Sequence, residues 1–181
     1  MRCPKSVRMS DHSPHIFDPA DADPRAFRDA LGRFATGVCV VTCNTPDGPL
    51  GITANSFASV SLDPPLVLWS PAKNSYRHPL FCAADRFAIH VMGCEQEAIC
   101  NGFAKSGEAF DDCALTYDAH GTPLIEGCLS RFECSLEAAH DAGDHTIIVG
   151  HVHRVTTRPK GAPDAPLLFH AGFYGRLAAQ D

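Results

Sequence analysis

The sequence predicts a mainly β protein: an antiparallel barrel with two or three helices at its periphery. Three observations predict it. Short β-branched and apolar runs recur along the chain, among them VCVVTC (38–43), PLVLWS (65–70) and RFAIHVM (86–92). Turn residues rather than long helices separate most neighbouring runs. The regular strand–helix alternation of a doubly wound sheet is missing, and closing an antiparallel sheet on itself leaves the fewest open strand edges.

The elements follow in order. Asp23-Pro24 opens a helix, with Asp as N-cap and Pro at the first helical position. Phe27, Leu31 and Phe34 continue at helical spacing to about Ala35, and Gly37 ends the segment. VCVVTC is a strand and NTPDG (44–48) a hairpin turn. LGITA, SFASVS and PLVLWS supply three further strand-like pieces. A short helix is expected over Tyr76–Ala84, then the strand RFAIHVM, then a helix over Glu95–Phe103, where Ile99 and Phe103 stand at i and i+4. GEAFDDCALTYDAHGTP (107–123) reads as irregular surface. Leu129–Ala138 and His145–Thr157 are strands flanking HDAGD, a β-hairpin. PLLFH (166–170) is a last strand, followed by AGFYGRL. Residues 1–16 read as a tail, with Met9 as an alternative start, and 17–178 as one domain. No internal repeat or low-complexity segment interrupts them.

With 181 residues the chain suits one domain with a real core and is too short for two ordinary ones. A formal net charge of −6 argues against nucleic acid or an anionic membrane as partner. No apolar run approaches the roughly 20 residues that span a bilayer, and no apolar stretch follows the basic start, so a secretory signal is not expected. Nine cysteines form no C-x-x-C pair, and several sit inside apolar runs. They read as reduced, mostly structural thiols of a cytoplasmic protein. His151 and His153 share parity on one strand and could bind a metal, but a half-exposed polar face is the favoured reading, and no metal site is expected.

Standard catalytic motifs are absent: no G-x-G-x-x-G after a strand, no phosphate loop, no G-x-S-x-G elbow and no H-E-x-x-H. What remains is GITANSFASVSLDPPLVLW (51–69), with SPAKNSYRHP (70–79), NGFAKSG (101–107) and GDH (143–145). The first is rich in small donors and poor in charge, which fits a loop wrapping a neutral polar ring system, or a Ser/Thr-rich barrel edge. Lys73, Ser75 and Lys105 supply two cations and a hydroxyl suited to a phosphate, or are simply solvated.

The run FRDALGRFATGVCVVTCNTPDGPLGITANSFASVSLDPPLVLWSPAKNS, continued by RFAIHVM, NGFAKS, GDHTIIVGHV and FHAGFYGRL, closely resembles the short-chain flavin reductases, the reductase components of two-component flavin-dependent monooxygenases. The similarity runs from about residue 24 to 177. It departs at Glu108-Ala109-Phe110, where the family often has an Asp-Lys-Phe-like segment. The resemblance implies a split, Greek-key-like β-barrel binding FMN or FAD, as a homodimer with flavin near the subunit interface. NADH or NADPH would reduce the flavin, which would then leave for a separate oxygenase. Carried over by position, Thr53, Ala54, Asn55 and Ser56 would line the isoalloxazine and ribityl part, and Ser59, Val60 and Ser61 would extend that wall. Lys73, Ser75 and Lys105 would lie toward the phosphate. His145 would meet the nicotinamide, with Tyr174 near the same face. Hydride transfer asks no side chain to move a proton, which accounts for a site without an obvious acid or base. Three other readings stay open: a non-catalytic flavin- or haem-binding barrel, a reductase passing electrons to ferric iron or cobalt(II), and a metal-binding or redox-sensing protein built on the cysteines and histidines.

Overall fold

The computed structural model describes residues 14–178, so Cys3, Met9 and most of the expected tail lie outside the described residues. Its centre is one antiparallel seven-stranded sheet. In chain order the strands of that sheet are β2 (Cys39–Thr45), β3 (Gly48–Ala54), β4 (Ala58–Leu62), β5 (Pro65–Trp69), β6 (Arg86–Val91), β9 (Ser130–Ala142) and β10 (His145–Thr157). In space they run β3-β2-β6-β9-β10-β5-β4. The two edge strands, β3 and β4, are therefore consecutive in sequence, joined only by residues 55–57. The sheet has to curl until its edges come together, yet they do not pair. That is a split barrel, and the jump from one edge strand to the other is its Greek-key-like feature.

Among the described residues three helices lie outside the sheet: α1 (Pro24–Leu31), α2 (His78–Ala83) and α3 (Glu97–Lys105), the last entered through one 3-10 turn at Cys94–Gln96. A small sheet joins β1 (Thr36–Gly37), β11 (Leu168–His170) and β12 (Phe173–Gly175), and β7 (Leu115–Tyr117) pairs with β8 (Pro123–Ile125). No helix among the described residues is long and apolar enough to cross a membrane.

β2 shows why VCVVTC lacks simple alternation. Cys39, Val41 and Cys43 enter a core cluster with Trp69, Phe81, Phe87 and Ile148. Val40, with Val38 just before the strand, enters a second cluster with Met92, Cys100, Phe103, Ile125 and Leu167. Both faces of the strand are buried, so both are mostly apolar; the buried exception, Thr42, donates its hydroxyl to the Pro123 carbonyl. In the first cluster Trp69 meets Phe81 edge-on at 5.0 Å; burying each such ring contributes roughly 1.5–3 kcal/mol. Behind the sheet, the amide of Ile125 donates to His90 Nε2 at 3.0 Å, so Nδ1 carries the proton and donates to the Val40 carbonyl at 2.9 Å. Complete burial pushes this imidazole down to about pKa 4, and it is a neutral pin between β2, β6 and β8.

Several boundaries differ from the sequence expectation. α1 stops at Leu31 because Gly32 follows it, and the Gly32 carbonyl accepts from Ala171 at 2.9 Å. Gly37 accordingly lies in a strand rather than ending a helix. Strands β2 and β3 invade the expected turn, leaving only Pro46-Asp47 between the paired Thr45 and Gly48. β9 likewise runs through HDA to Ala142, so Gly143-Asp144 alone make the hairpin. Gly143, at φ 69°, supplies the positive φ such a turn requires. The expected irregular surface contains β7 and β8, and FHAGF is a hairpin, with His170 opposite Phe173.

Candidate functional site

A groove of about 400 Å³ opens where the end of β3, the β5–α2 connection, the end of α3 and the β11–β12 hairpin converge. That volume lies in the range of small-molecule sites, roughly 300–1,000 Å³. The end of β3 and the residue after it contribute Ile52, Thr53, Ala54 and Asn55; the connection adds Ala72, Ser75 and Arg77; Val38, Ala104, Phe169 and Tyr174 complete the lining.

Several of the lining residues are held by definite contacts. Thr53 Oγ1 donates to the Cys100 carbonyl at 2.6 Å, tying β3 to α3. β3 is an edge strand, and its outward N–H at Gly51 is bonded to the Gly107 carbonyl at 2.8 Å. By the two-residue period of a strand, Thr53 presents its N–H on the same side, where no strand pairs with it. Phe169 and Tyr174 are cross-strand partners whose rings meet edge-on at 5.7 Å. Burial raises the Tyr174 phenol above its ordinary pKa, with Cys100 and Glu97 adding to the shift.

Arg77 is the least expected member. Only 9% exposed, it donates from Nη1 to the carbonyls of Phe103 (2.6 Å) and Gly51 (3.3 Å). Its Nε is buried with no partner. Desolvation lowers its pKa, but a guanidinium remains a cation at any physiological pH. Such an unsatisfied buried N–H is uncommon in a folded protein, and the residue that carries it lines the groove. The lining contains no carboxylate, no imidazole and no amine.

Of the residues singled out in the sequence, Thr53, Ala54, Asn55, Ser75 and Tyr174 line this groove. The others lie elsewhere. The Ser56 hydroxyl accepts from Ser70 N at 2.9 Å and fixes residue 56 to the start of the β5–α2 connection. Ser59, Val60 and Ser61 stand on β4, where a register shift between Ser59 and Ser61 leaves Val60 exposed. Lys105 ends α3 in solvent. The Lys73 ammonium turns away to Asp141 (2.5 Å) and the Gly143 carbonyl (2.6 Å). His145 is bridged through its backbone to Ala72, next to the groove, and its Nδ1 lies 2.8 Å from the Asp144 carboxylate. That contact holds the Asp144 carboxyl below its usual range.

Val38, Ile52, Ala72, Arg77, Ala104 and Phe169 went unseen in the sequence. Arg77 stands two residues after Ser75 in a segment already conspicuous, and that proximity was its signal. The apolar members read as core, and only the fold brings them to a groove. At the departure site, Phe110 packs edge-on against Phe103 at 4.8 Å, a core contact. The His151 and His153 rings lie 4.8 Å apart, and His153 Nε2 is 2.8 Å from the Ser135 hydroxyl. Among the described residues no group of three or more His, Cys, Asp or Glu converges as for a metal. Burial pushes Cys39, Cys43, Cys100 and Cys134 up to about 12 and Cys113 to about 11, far from the thiolate state that redox and metal chemistry use.

Comparison with known proteins gives a consistent result. The family model described as "Flavin reductase like domain" matches residues 31–178. A protein of Agrobacterium fabrum named FMN reductase (NADH) SmoA is 55% identical over 176 residues, covering 97% of this chain and 98% of its own. The HsaB reductase subunit of a flavin-dependent monooxygenase from Mycobacterium tuberculosis is 38% identical over 86% of this chain and 83% of its own. Among solved structures, the NADH:FAD oxidoreductase SgcE6 of Streptomyces globisporus C-1027, in complex with NAD and FAD fragments, superposes with a TM-score of 0.82 at 37% identity, covering 91% of this chain and 98% of that one.

Proposed function

The chain belongs to the flavin reductase like domain family, and from that premise we propose that it transfers a hydride from NADH or NADPH to FMN or FAD bound in the groove. The observation that carries this is the lining: hydrogen-bond donors, apolar walls and one buried guanidinium, with no general acid or base among them. Bound there, the flavin supplies the hydride-accepting ring and the nicotinamide supplies the hydride.

The residues present suit a flavin. Ile52, Ala54 and Ala104 offer apolar surface to a flat ring, while Asn55 and the outward N–H of Thr53 offer donors to its polar edge. Donors fixed before the reaction favour negative charge that grows there without reorganising. The Ser75 hydroxyl and the Arg77 guanidinium, both of residues lining the groove, suit an anionic or carbonyl oxygen. Phe169 and Tyr174 add aromatic surface to the same groove. His145, at the hairpin tip beside Ala72, is assigned to the nicotinamide, where it positions the ring rather than moving a proton. Its Nδ1 faces the Asp144 carboxylate, which leaves Nε2 to hydrogen-bond the carboxamide.

The same reading makes the protein the reductase component of a two-component system, handing reduced flavin to a separate oxygenase, in the cytoplasm where reduced nicotinamide is supplied. It also makes it a homodimer with residues 17–178 as the working domain. No residue of α1 is buried in the protomer, and Phe34, Phe173 and Leu177 are 78%, 76% and 62% exposed. An apolar surface of that kind beside the Phe169–Tyr174 hairpin suits a second copy.

The test is NADH or NADPH oxidation over the four cofactor pairings, starting with NADH and FMN. Flavin-dependent turnover well above buffer is expected, and its absence in all four removes the enzyme reading. Sedimentation tests the dimer separately, and a fully active monomer would rule it out.

A further inference from the structure

The β9–β10 hairpin extends beyond the sheet that supports it. β6 pairs with β9 only over residues 130–135, and β5 pairs with β10 only from Ile148 onward. Residues 137–142 and 145–147 have no strand beside them other than each other. A free two-stranded ribbon is marginal in water, yet this one carries His145 at its tip.

What steadies it is the β5–α2 connection. Pro71 O accepts from Thr146 N at 3.1 Å, and Asp144 O accepts from Lys73 N at 2.8 Å, so the backbone is held on both sides of His145. The Thr146 hydroxyl lies 2.8 Å from His78 Nε2. Lys73 completes the hold: two of its three ammonium protons serve Asp141 Oδ2, at the end of β9, and the carbonyl of Gly143, the first residue of the turn. The next residues on the same segment, Ala72, Ser75 and Arg77, line the groove.

We propose that Lys73 is a positioning residue for hydride transfer, clamping the β9–β10 hairpin at Asp141 and Gly143 so that His145 is held beside the groove, and that it does not serve the flavin phosphate. This rests on the assignment of His145 to the nicotinamide. One connection builds both the flavin wall and the support of the nicotinamide-side hairpin, so the distance between the two rings is set by a single short segment. Misplacing reacting groups by about 1 Å can cost on the order of a hundredfold in rate, so a mobile tip would be expensive even with the flavin correctly bound.

The variants are Lys73→Met, Lys73→Arg and Lys73→Met combined with His145→Ala, in the full chain. Lys73 is a surface residue, so folding is expected to survive. Stopped-flow flavin reduction in Lys73→Met should slow on the order of tenfold and the nicotinamide KM should rise, with flavin Kd unchanged within about twofold. Lys73→Arg should recover most of the loss. The double variant should be little slower than His145→Ala alone, since Lys73 acts through that residue. Without any cofactor, amide exchange over residues 143–147 should accelerate in Lys73→Met and stay near wild type in Lys73→Arg. A raised flavin Kd with an unchanged reduction rate would make Lys73 a phosphate ligand and overturn the proposal, as would unchanged amide exchange. Wild-type protein without any flavin-dependent turnover refutes the enzyme reading instead, and the exchange result still decides the clamp.

Discussion

The ring of Phe103 lies against the backbone of Gly51, so closely that a β-carbon at Gly51 would sit 2.4 Å from Phe103 Cε1. Phe103 is fully buried and packed against Phe110, so it has little room to retreat. Both residues also offer carbonyls to Arg77. Gly51→Ala should therefore destabilise the fold by roughly 1–3 kcal/mol, the usual cost of overpacking. It should also weaken flavin binding by disturbing Arg77. Urea unfolding and a flavin titration on the same preparation check both, and a wild-type midpoint would show that α3 shifts freely.

Asn55 lines the groove, whereas the Ser56 hydroxyl is committed to Ser70. Asn55→Leu should raise flavin Kd about tenfold, from one lost hydrogen bond at about 1 kcal/mol plus added bulk, with little change in unfolding midpoint. Ser56→Ala should do the reverse, lowering stability by about 1 kcal/mol through loss of the tie to Ser70. Equal flavin affinity in wild type and Asn55→Leu would move the polar edge of the flavin away from residue 55.

His145→Ala should slow flavin reduction and raise the nicotinamide KM while leaving flavin Kd nearly unchanged. Asn at the same position, a shorter side chain that still offers a donor and an acceptor, should recover part of the loss. A wild-type reduction rate in the Ala variant would leave His145 as a hairpin residue and nothing more.

His90 makes stability depend on pH in a defined window. Its ordinary pKa of 6.5 falls to about 4 in the fold, so between these values the unfolded chain binds the proton more readily. The contribution is fully present above pH 6.5 and is lost as pH falls toward 4, on the order of 3 kcal/mol in all. Gln at position 90 keeps a donor and an acceptor but does not titrate. Urea midpoints at pH 7.5 and 4.5 should differ less in His90→Gln than in wild type, and equal differences would assign the acid sensitivity elsewhere.

The buried thiols should be silent in the native protein. With Cys39, Cys43, Cys100 and Cys134 pushed to about 12, a disulfide reagent at pH 8 should find few of them until denaturant is added, when all nine cysteines react. Rapid reaction of most thiols without denaturant would mean that the barrel opens readily.

Strand identity was legible because the barrel strands declare themselves by β-branching and by Pro and Gly at their turns. β10 spans His145–Thr157 as the sequence indicates. Boundaries were less legible, because Asn44, His140 and Asp141 look like turn residues but sit on ribbons where polar side chains can face water. The β11–β12 hairpin stayed hidden because Ala171, rather than Asn or Asp, takes the positive φ of 49° beside Gly172. Within the groove, Asn55 and Ser75 were visible as small polar residues of two conspicuous segments, 51–69 and 70–79. Arg77 was masked by a more conspicuous cation, Lys73, four positions earlier. Which of two nearby cations faces a cavity depends on the path of the connection, and no local pattern records it.

β2 belongs to both hydrophobic clusters, one on each face. Neither cluster can melt while the other persists, because the strand cannot leave one without stripping the other. Heating should therefore produce one calorimetric transition, with van't Hoff and calorimetric enthalpies in agreement, and not the two steps that a barrel with an attached helical layer suggests. Any flavin held in the groove then raises the melting temperature of the whole molecule, since Val38 and Ile52, which line that groove, are part of the same cooperative unit.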